Sequence, residues 1–534
     1  MAAPARPPFV PKPPLLAAGY MMASAFIALS QSLGQGFLSA NLTTLGGEIG
    51  ATQTQTAWLM VAFMAPRAVL PLMLIKIRMQ FGLRRFAEWS IVIYVAVALV
   101  SLLATDLRSA LVVELLSGVS AAPLSTLAFL YMLEPLPPER KLTVGLPLAL
   151  TFISLGTPLA RAINPAILLD GSWTSILALK LGMSMVCLAL VYKLPLASLP
   201  TEKVIKGMDL LSFSLIAASF GGLVACFTMG ASYWWLQADW IGWVMAGGLA
   251  ALAIALVIEL HRRAPLIDVR WLTSPAMLHL TAALLVFRII LSEQTAGAPG
   301  LFQALGFAQS QTAPLYGAIT AATLAGGVAL TLILRLGAVP YIHMGALLLI
   351  AAGAGMDAHA GSTIAPRDMI VSQSLIGFAS MLFLPSAMAT GLMTALSKGP
   401  QYLLSFIIVF LSSQILGGTI GAGLFRSFVA ARTVAHAGWI REDLAVGDGL
   451  VSDRIAALAR ALSPGTTDAV QLKAQAGAQL AATVTREATV AAYNDVFALM
   501  SCLALGALAV LCGHVAITHL RARQAPAAQQ GAKA

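Results

Sequence analysis

The chain consists almost entirely of apolar runs long enough to cross a membrane, separated by short polar loops. A helix needs about 20 apolar residues to cross the roughly 30 Å of hydrocarbon in a bilayer. Because the backbone finds no water there, uniformly apolar runs of this length must be helices. Composition agrees, since 59% hydrophobic and 10% charged residues are far from the values of soluble globular domains. The sequence therefore predicts an all-α integral membrane protein.

The apolar pattern predicts fourteen membrane spans. Their approximate ranges are 15–39, 58–75, 86–104, 109–133, 143–168, 173–195, 210–230, 240–260, 277–297, 314–335, 339–356, 368–392, 401–425 and 496–519.

Basic residues are distributed unequally between the two sides of the membrane. If the N-terminus is inside, the inner loops and both tails hold most of the lysines and arginines, whereas the short outer loops hold only Arg108 and Arg367. Cytoplasmic loops are enriched in Lys and Arg, so we expect both termini in the cytoplasm. The net charge of +10 then reflects membrane orientation, and we expect no nucleic-acid partner.

Two segments are longer than the other loops. The polar linker 197–208 follows the sixth span, and residues 426–494 separate the last two spans on the outer side. This outer segment contains two predicted amphipathic helices, Asp453–Leu462 and Thr467–Ala492, separated by Ser463-Pro464-Gly465. Loops of this length are usually functional or disordered, and we interpret this one as a partly helical appendage.

Enzymatic motifs are absent from the sequence. No phosphate-binding GxxxxGK[ST] run and no HExxH motif occurs. The four cysteines all lie in apolar spans without ligand spacing and are interpreted as small core residues: Cys187, Cys226, Cys502 and Cys512. We therefore expect no enzyme, no cofactor and no metal site.

One acid lies well inside a predicted span of the first half. The run Ala110–Leu133 carries Glu114 about one turn from its start. An intramembrane carboxylate costs several kcal/mol unless it is paired or neutralised, so it usually faces a cavity and is functional. Glu114 is the candidate for proton coupling. Two other interpretations remain open: a static Glu–Arg bridge, and a wetted carboxylate without a role.

Five other ionisable side chains, outside the histidines and span edges, fall within predicted spans. They are Arg67, Arg161, Lys180, Arg288 and Glu293. The alternative for each is structural: a side chain that reaches the interface, or a pair that joins two helices. We favour this alternative for Lys180 and Glu293, which lie nearer the outer ends of their spans.

The three arginines are candidates for lining a substrate cavity. Arg67 lies mid-span between two prolines and cannot easily reach water, so it needs a cavity or a partner. Gln31 and Gln35 lie one turn apart on one face of the first span. These two amides either bind substrate or join helices, and the sequence favours neither interpretation.

Three motifs resemble the fourteen-span drug:proton antiporters of the major facilitator superfamily. Gly50-ATQTQTA-Trp58, followed by a span and Gly82-Leu-Arg84-Arg85, has the spacing of that family. Glu259-LHRRA-Pro265-Leu-Ile-Asp268-Val-Arg270 resembles its E…PLID…R junction. Ala491-Ala-Tyr493-Asn-Asp495-Val-Phe497 resembles the segment before its last helix.

The sequence departs from this family at several positions. Gly34 stands where the family has an aspartate in the first span, and Glu114 replaces the arginine usual near the start of the fourth span. The inner-loop motif, here Ile75 to Arg84, lacks its acid and one arginine. Gly156, Pro158 and Asn164-Pro165 are a loose version of the fifth-span antiporter motif.

The resemblance implies two six-helix bundles, 15–196 and 277–519, with the linker and two extra spans in 197–276. The tails 1–14 and 520–534 are then cytoplasmic. Transporters of this architecture bind substrate between the bundles, where Arg67, Arg161 and Arg288 would make the cavity electropositive and favour an acidic group. Gly82, Arg84, Arg85, Gly156 and Pro158 would serve as motif and gating residues.

The implied function is export of small amphipathic or acidic organic compounds from a bacterial inner membrane, coupled to proton influx by alternating access. The resemblance further implies a periplasmic adaptor protein and an outer-membrane channel as partners, besides the substrate and the bilayer. Because the usual Asp/Arg pair is changed, an uncoupled facilitator or exchanger remains an alternative. A non-transporting scaffold that binds a periplasmic partner is the third.

Overall fold

Every regular element in the described residues of the computed structural model is a helix. The structure describes residues 11–168, 172–197, 201–262, 265–444, 449–462 and 468–524. The main helices are α1 (Pro14–Ala40), α2 (Gln53–Val69), α3 (Pro71–Phe81), α4 (Leu83–Ser101), α5 (Leu107–Leu133), α6 (Pro138–Ile167), α7 (Trp173–Lys193), α8 (Gly207–Met229), α9 (Asp239–His261), α10 (Pro275–Ala304), α11 (Gln309–Ile333), α12 (Leu336–Asp357), α13 (Pro366–Lys398), α14 (Pro400–Asp443), α15 (Gly449–Leu462) and α16 (Ala469–Gln524).

The number of spans is lower than expected from the sequence. Among the described helices, 12 are long and apolar enough to cross a membrane, or 13 if α2 and α3 form one bent span. The predicted span 86–104 corresponds to α4, which carries Arg84, Arg85 and Glu88 in its first two turns and is therefore less apolar. The expectation of an all-helical membrane protein is confirmed, whereas a count of fourteen remains a prediction.

The second predicted span, 58–75, is divided between two helices. It is a pair of helices, α2 and α3, that meet at a bend of 51°. Pro71 begins α3 and has no N–H to donate to the carbonyl of Arg67 one turn before it, so the hydrogen-bond ladder is interrupted there. The bend lies directly after Arg67.

The helices form two packed groups. In one group, α1 packs against α5 and α6, α2 packs against α5, and α4 packs against α7. In the other group, α13 packs against α11 and α12, and α16 packs against α12 and α14. The two groups meet where α6 packs against α11 and α13 and where α2 packs against α14. Helices α8 and α9 pack against each other, and α8 contacts α2 and α14.

The outer segment is more continuous than predicted. The expectation of a separate helix at Thr467–Ala492 was wrong, because α16 runs unbroken for 56 residues from Ala469 into the last span. No proline or glycine interrupts residues 478–505, so nothing ends the helix between the two parts. Helix α14 likewise continues past the predicted end of its span, for 44 residues in all. The predicted Ser463-Pro464-Gly465 break lies outside the described residues, as do parts of both tails and of the linker.

Arg432 and His436 of α14 join the two long helices beyond their spans. Arg432 Nε donates to Asp495 Oδ2 of α16 at 2.5 Å, and His436 Nε2 lies 2.7 Å from the same oxygen. Asp495 belongs to the motif before the last span that carried the family resemblance, and here it fixes α16 against α14.

Candidate functional site

Glu114 is buried in the first group of helices. Asp106 caps α5, its side chain accepting from the Ser109 N–H at 3.1 Å, and the helix begins at Leu107. Glu114 therefore lies about two turns inside α5, and its side chain is 4% exposed. Ser117 and Ala121 continue the same face of α5.

This face of α5 borders a small cavity inside the first group of helices. Its volume of about 10 Å³ is enough for about one water molecule. The residues that line it come from α1, α2, α4, α5 and α7: Gln31, Gly34, Phe63, Tyr94, Val97, Ala98, Ser117, Ser120, Ala121 and Lys180. The cavity therefore combines one cation with hydroxyl and amide groups.

Lys180 is the cation that faces Glu114. It is the charged residue that lines the cavity beside Glu114, and no ion pair joins the two side chains. A Cβ added at Gly34 would lie 3.8 Å from Lys180 Cε. The lysine stem thus passes the position where the resembling family carries its aspartate. The sequence interpretation of Lys180 as a structural residue near a helix end missed this placement.

Arg67 is held by the two glutamines of the first span. Its Nη1 donates to Gln35 Oε1 at 2.5 Å and its Nη2 donates to Gln31 Oε1 at 2.7 Å. The guanidinium is 6% exposed and also lies 5.2 Å from the Phe63 ring centroid. The three predicted cavity residues therefore contact each other, with the amides joining α1 to α2.

Gln31 keeps one amide donor for the cavity. Its Oε1 accepts from Arg67, whereas its buried Nε2 has no hydrogen-bond partner in the part of the chain that the structure describes. A buried donor without an acceptor costs about 1–3 kcal/mol. Gln31 lines the cavity, so a water or substrate oxygen placed there would satisfy this group.

Arg161 lies at the contact between the two groups of helices. Its guanidinium carbon is 5.4 Å from the ring centroid of Tyr316 on α11. Nearby, Asn164 of α6 and Asn41, which follows α1, each donate an amide hydrogen bond to the other at 2.8 Å. Gln309 of α11 donates to the Ala40 carbonyl at 2.8 Å. These amides fasten α1, α6 and α11 together at one end of the contact.

Arg288 is the third predicted cavity arginine. It lies on α10 against α14, where a Cβ at Gly417 would be 3.0 Å from Arg288 Cβ. Its buried Nε has no hydrogen-bond partner among the described residues. None of Arg67, Arg161 and Arg288 lines the small cavity beside Glu114.

The predicted motif residues have different surroundings. Gly82 ends α3 with φ of +86°, a conformation that favours glycine. Arg84 forms an exposed pair with Glu88 at 2.9 Å, and Arg85 is exposed. Gly156 packs directly against Ser32 of α1, and Pro158 lies in the same turn of α6.

A buried charge network that joins α3, α8 and the end of α9 was missed. Asp209, at the start of α8, accepts from Lys76 of α3 at 2.8 Å and from Arg262 at 2.5 Å. Arg262 also donates to Glu259 at 2.7 Å, and Glu259 accepts from the Ile267 N–H at 3.2 Å. Sequence pattern identified Glu259 as part of a family motif and Lys76 as a loop cation, but spacing alone could not pair them.

A second acid site was also missed. Gln373 of α13 donates to Glu293 Oε1 at 3.1 Å and to Asp357 Oδ2 at 2.6 Å. Sequence analysis did not single out Asp357 and interpreted Glu293 as structural. The contact depends on how α10, α12 and α13 pack, which no local signal reveals.

Comparison with known proteins rests on structure. No protein-family model matches the sequence, and no curated protein sequence matches it. The human organic anion transporter MFSD10 (TETRAN) is 13% identical with a TM-score of 0.56, covering 92% of this chain and 100% of its own. The proton:xylose symporter XylE, of the major facilitator superfamily, is 14% identical with a TM-score of 0.50, covering 76% of this chain and 88% of its own. The chain has the major facilitator fold.

A third neighbour supports the same fold. A bacterial homologue of the human drug peptide transporters PepT1 and PepT2 is 13% identical with a TM-score of 0.55, covering 94% of this chain and 99% of its own. All three of these neighbours are transporters. At such low identity the likeness identifies the fold, and the fourteen-span antiporter family within it remains a prediction.

Proposed function

We propose that the protein is a secondary transporter of a bacterial inner membrane that exports small amphipathic organic compounds in exchange for protons. Both termini are cytoplasmic in this proposal, as the distribution of lysine and arginine favours. Glu114 carries the exchanged proton, and the substrate binds beside it when the helices move apart and widen the small cavity there.

The observation that carries this proposal is a buried acid with a half-buried cation beside the same cavity. Glu114 is 4% exposed in α5, and Lys180 reaches the adjoining cavity from α7. An intramembrane acid is expensive to bury and is therefore usually functional. Lysine has a flexible four-carbon stem, so its distance from Glu114 can change when the helices move.

The positions of the two charges support a rearranged coupling pair. The resembling family has an acid in the first span and a base in the fourth, whereas this chain has Gly34 and Glu114 at those positions. Lys180, from the sixth span, fills the space beside Gly34. We infer that the acid has moved to the fourth span and the base to the sixth.

The charges also bear on the kind of substrate. An anionic group bound to Lys180 would neutralise the positive charge near Glu114 and so favour protonation of Glu114. Proton and substrate would then move in the same direction. A compound that donates a hydrogen bond to Glu114 instead competes with the proton, which gives exchange. Because the three arginines do not converge on this cavity, we propose the amphipathic, hydrogen-bond-donating class over the acidic one.

An acidic substrate is the second candidate, with one observation in its favour. The structural neighbour MFSD10 is an organic anion transporter, and Lys180 with Gln31 Nε2 would bind a carboxylate. The direction of proton movement during transport distinguishes the two classes.

A growth-inhibition panel would identify a transported compound. A deletion strain and its complemented strain are compared against structurally diverse acids and drugs. We expect the complemented strain to resist a set of amphipathic compounds. Resistance confined to organic acids would instead favour the second candidate.

Coupling is tested in vesicles with a compound identified in this way. We expect uptake driven by an imposed pH gradient in the wild type, and loss of this uptake in Glu114→Gln with exchange of labelled for unlabelled compound retained. Asp368→Asn, which changes a half-exposed acid in an exposed pair with Arg367, is the matched control. Transport that persists unchanged after the pH gradient and the potential collapse would show a facilitator or exchanger.

We further propose that the extension formed by the outer ends of α14 and α16, with α15, binds a periplasmic adaptor protein. At about 1.5 Å per residue, helices of 44 and 56 residues are much longer than the bilayer requires. Deletion of 453–492 should abolish pull-down of the adaptor while vesicle transport remains. Loss of both activities would make the segment structural, and retention of both would exclude the docking role.

A further inference from the structure

Glu293 and Asp357 form a buried carboxyl pair in the second group of helices. Glu293 lies on α10 and is 0% exposed, and Asp357 ends α12 and is 3% exposed. Both carboxyl groups accept a hydrogen bond from the same amide nitrogen, Gln373 Nε2. The two acids therefore share one buried site, where two ionised carboxylates would repel each other.

Gln373 lies between the two acids and is directed at both. This glutamine of α13 is 0% exposed, and its Nε2 donates to Glu293 at 3.1 Å and to Asp357 at 2.6 Å. Ser372 also donates to Asp357 Oδ1. Hydrogen bonds from Gln373 and Ser372 stabilise negative charge on the pair, but neither side chain carries a positive charge.

No cation compensates the pair within the described residues. The groups that face it from α13 are Ser372 and Gln373, both uncharged, and neither acid forms a salt bridge. On α14, Arg426 is directed at the Thr228 carbonyl at 3.5 Å. Two ionised carboxylates that share a buried site repel strongly, so the pair retains a proton.

Two polar atoms at the site have no hydrogen-bond partner among the described residues. They are Glu293 Oε2 and Gln373 Oε1, both buried. A proton on the carboxyl pair supplies the donor that an unpaired carboxyl oxygen needs. A sodium ion fits less well, because the Gln373 N–H groups are directed into the site where a cation would lie.

The backbone at Glu293 departs from regular α-helix. The residue begins a π-helical turn, Glu293–Gly297, inside α10, and such turns occur frequently at functional sites. A Cβ at Gly297 would lie 2.8 Å from the Phe497 ring and 2.9 Å from the Phe425 ring. Because residue 297 is glycine, the two rings can pack against the backbone beside Glu293 and separate the acid from water.

We propose that Glu293 and Asp357 share one bound proton and form a second proton site, distinct from Glu114. Its three side chains come from α10, α12 and α13, so a relative movement of these helices would part the carboxyls and pass the proton to water. The use of this proton in transport rests on the proposed function; its binding does not.

Infrared spectroscopy of the full-length protein in liposomes tests the proposal. In a Glu114→Gln background at neutral pH, we expect the C=O band of about one protonated carboxyl per protein. The band should disappear in the same background with Glu293→Gln and Asp357→Asn. Asp368→Asn, an exposed acid outside the site, is the control and should leave the band unchanged.

A milder variant tests the site even if the double substitution misfolds. Ser372→Ala removes one donor to Asp357 and should shift the frequency of the band while the protein stays monodisperse. An identical spectrum with and without the two acids would overturn the proposal. Loss of the band when sodium replaces potassium at constant pH would also overturn it, in favour of a sodium site. The infrared band is measured without transport. A vesicle experiment in which Glu114→Gln leaves pH-driven uptake intact would therefore not affect this result.

Discussion

At the residue scale, the sequence predicted which side chains are unusual better than it predicted their partners. Burial of Glu114 and Arg67 was expected from the cost of charge in hydrocarbon, whereas nothing in the sequence paired Arg67 with Gln31 and Gln35. The surroundings of Lys180 were not predictable, because linear distance from a helix end says nothing about which neighbouring helix the side chain faces. Only tertiary packing places it beside Gly34.

Gly156→Ala tests a close helix contact at this scale. The new methyl group would collide with Ser32 of α1, and such overpacking costs about 1–3 kcal/mol. We expect a lower melting temperature of the purified protein. Gly182→Ala, where nothing lies within 4 Å, is the control and should be neutral or slightly stabilising because alanine is the better helix former. Equal stability of both variants would contradict the contact.

At the element scale, the spans were predictable and their ends were not. Apolar runs located the 12 described helices that are long and apolar enough to cross the membrane, since the bilayer sets their length. The break between α2 and α3 at Pro71 and the extension of α16 have local causes in the sequence, but a search for apolar runs does not detect them. The network that joins α3 to α8, in which Asp209 contacts Lys76 and Arg262, depends instead on tertiary packing.

Asp209→Asn tests this connection between elements. The substitution leaves Lys76, 6% exposed in its side chain, without its partner, and breaking a buried ion pair in this way costs about 3–5 kcal/mol. We expect a marked fall in melting temperature and slower transport. Arg84→Gln, which breaks an exposed pair with Glu88, should cost less than about 1 kcal/mol. A similar small effect for both would mean that the network is not stabilising.

At the scale of the whole molecule, the unequal loop charge predicts the orientation in the membrane, and labelling tests this prediction directly. Lys203→Cys in the linker and Gln479→Cys on the extension of α16 both place an exposed thiol outside the spans. In intact spheroplasts, a membrane-impermeant maleimide should label Gln479→Cys and should label Lys203→Cys only after lysis. The reverse pattern would invert the topology, and with it the direction of proposed export.

The central claim is that Glu114 carries the proton that is exchanged for substrate. It is tested most directly by recording internal pH in proteoliposomes while a transported compound enters down its own gradient. We predict that the wild type makes the interior alkaline, and that Glu114→Gln exchanges the compound without any change in pH. An interior that turns acidic, or a pH change that Glu114→Gln leaves intact, would contradict the account.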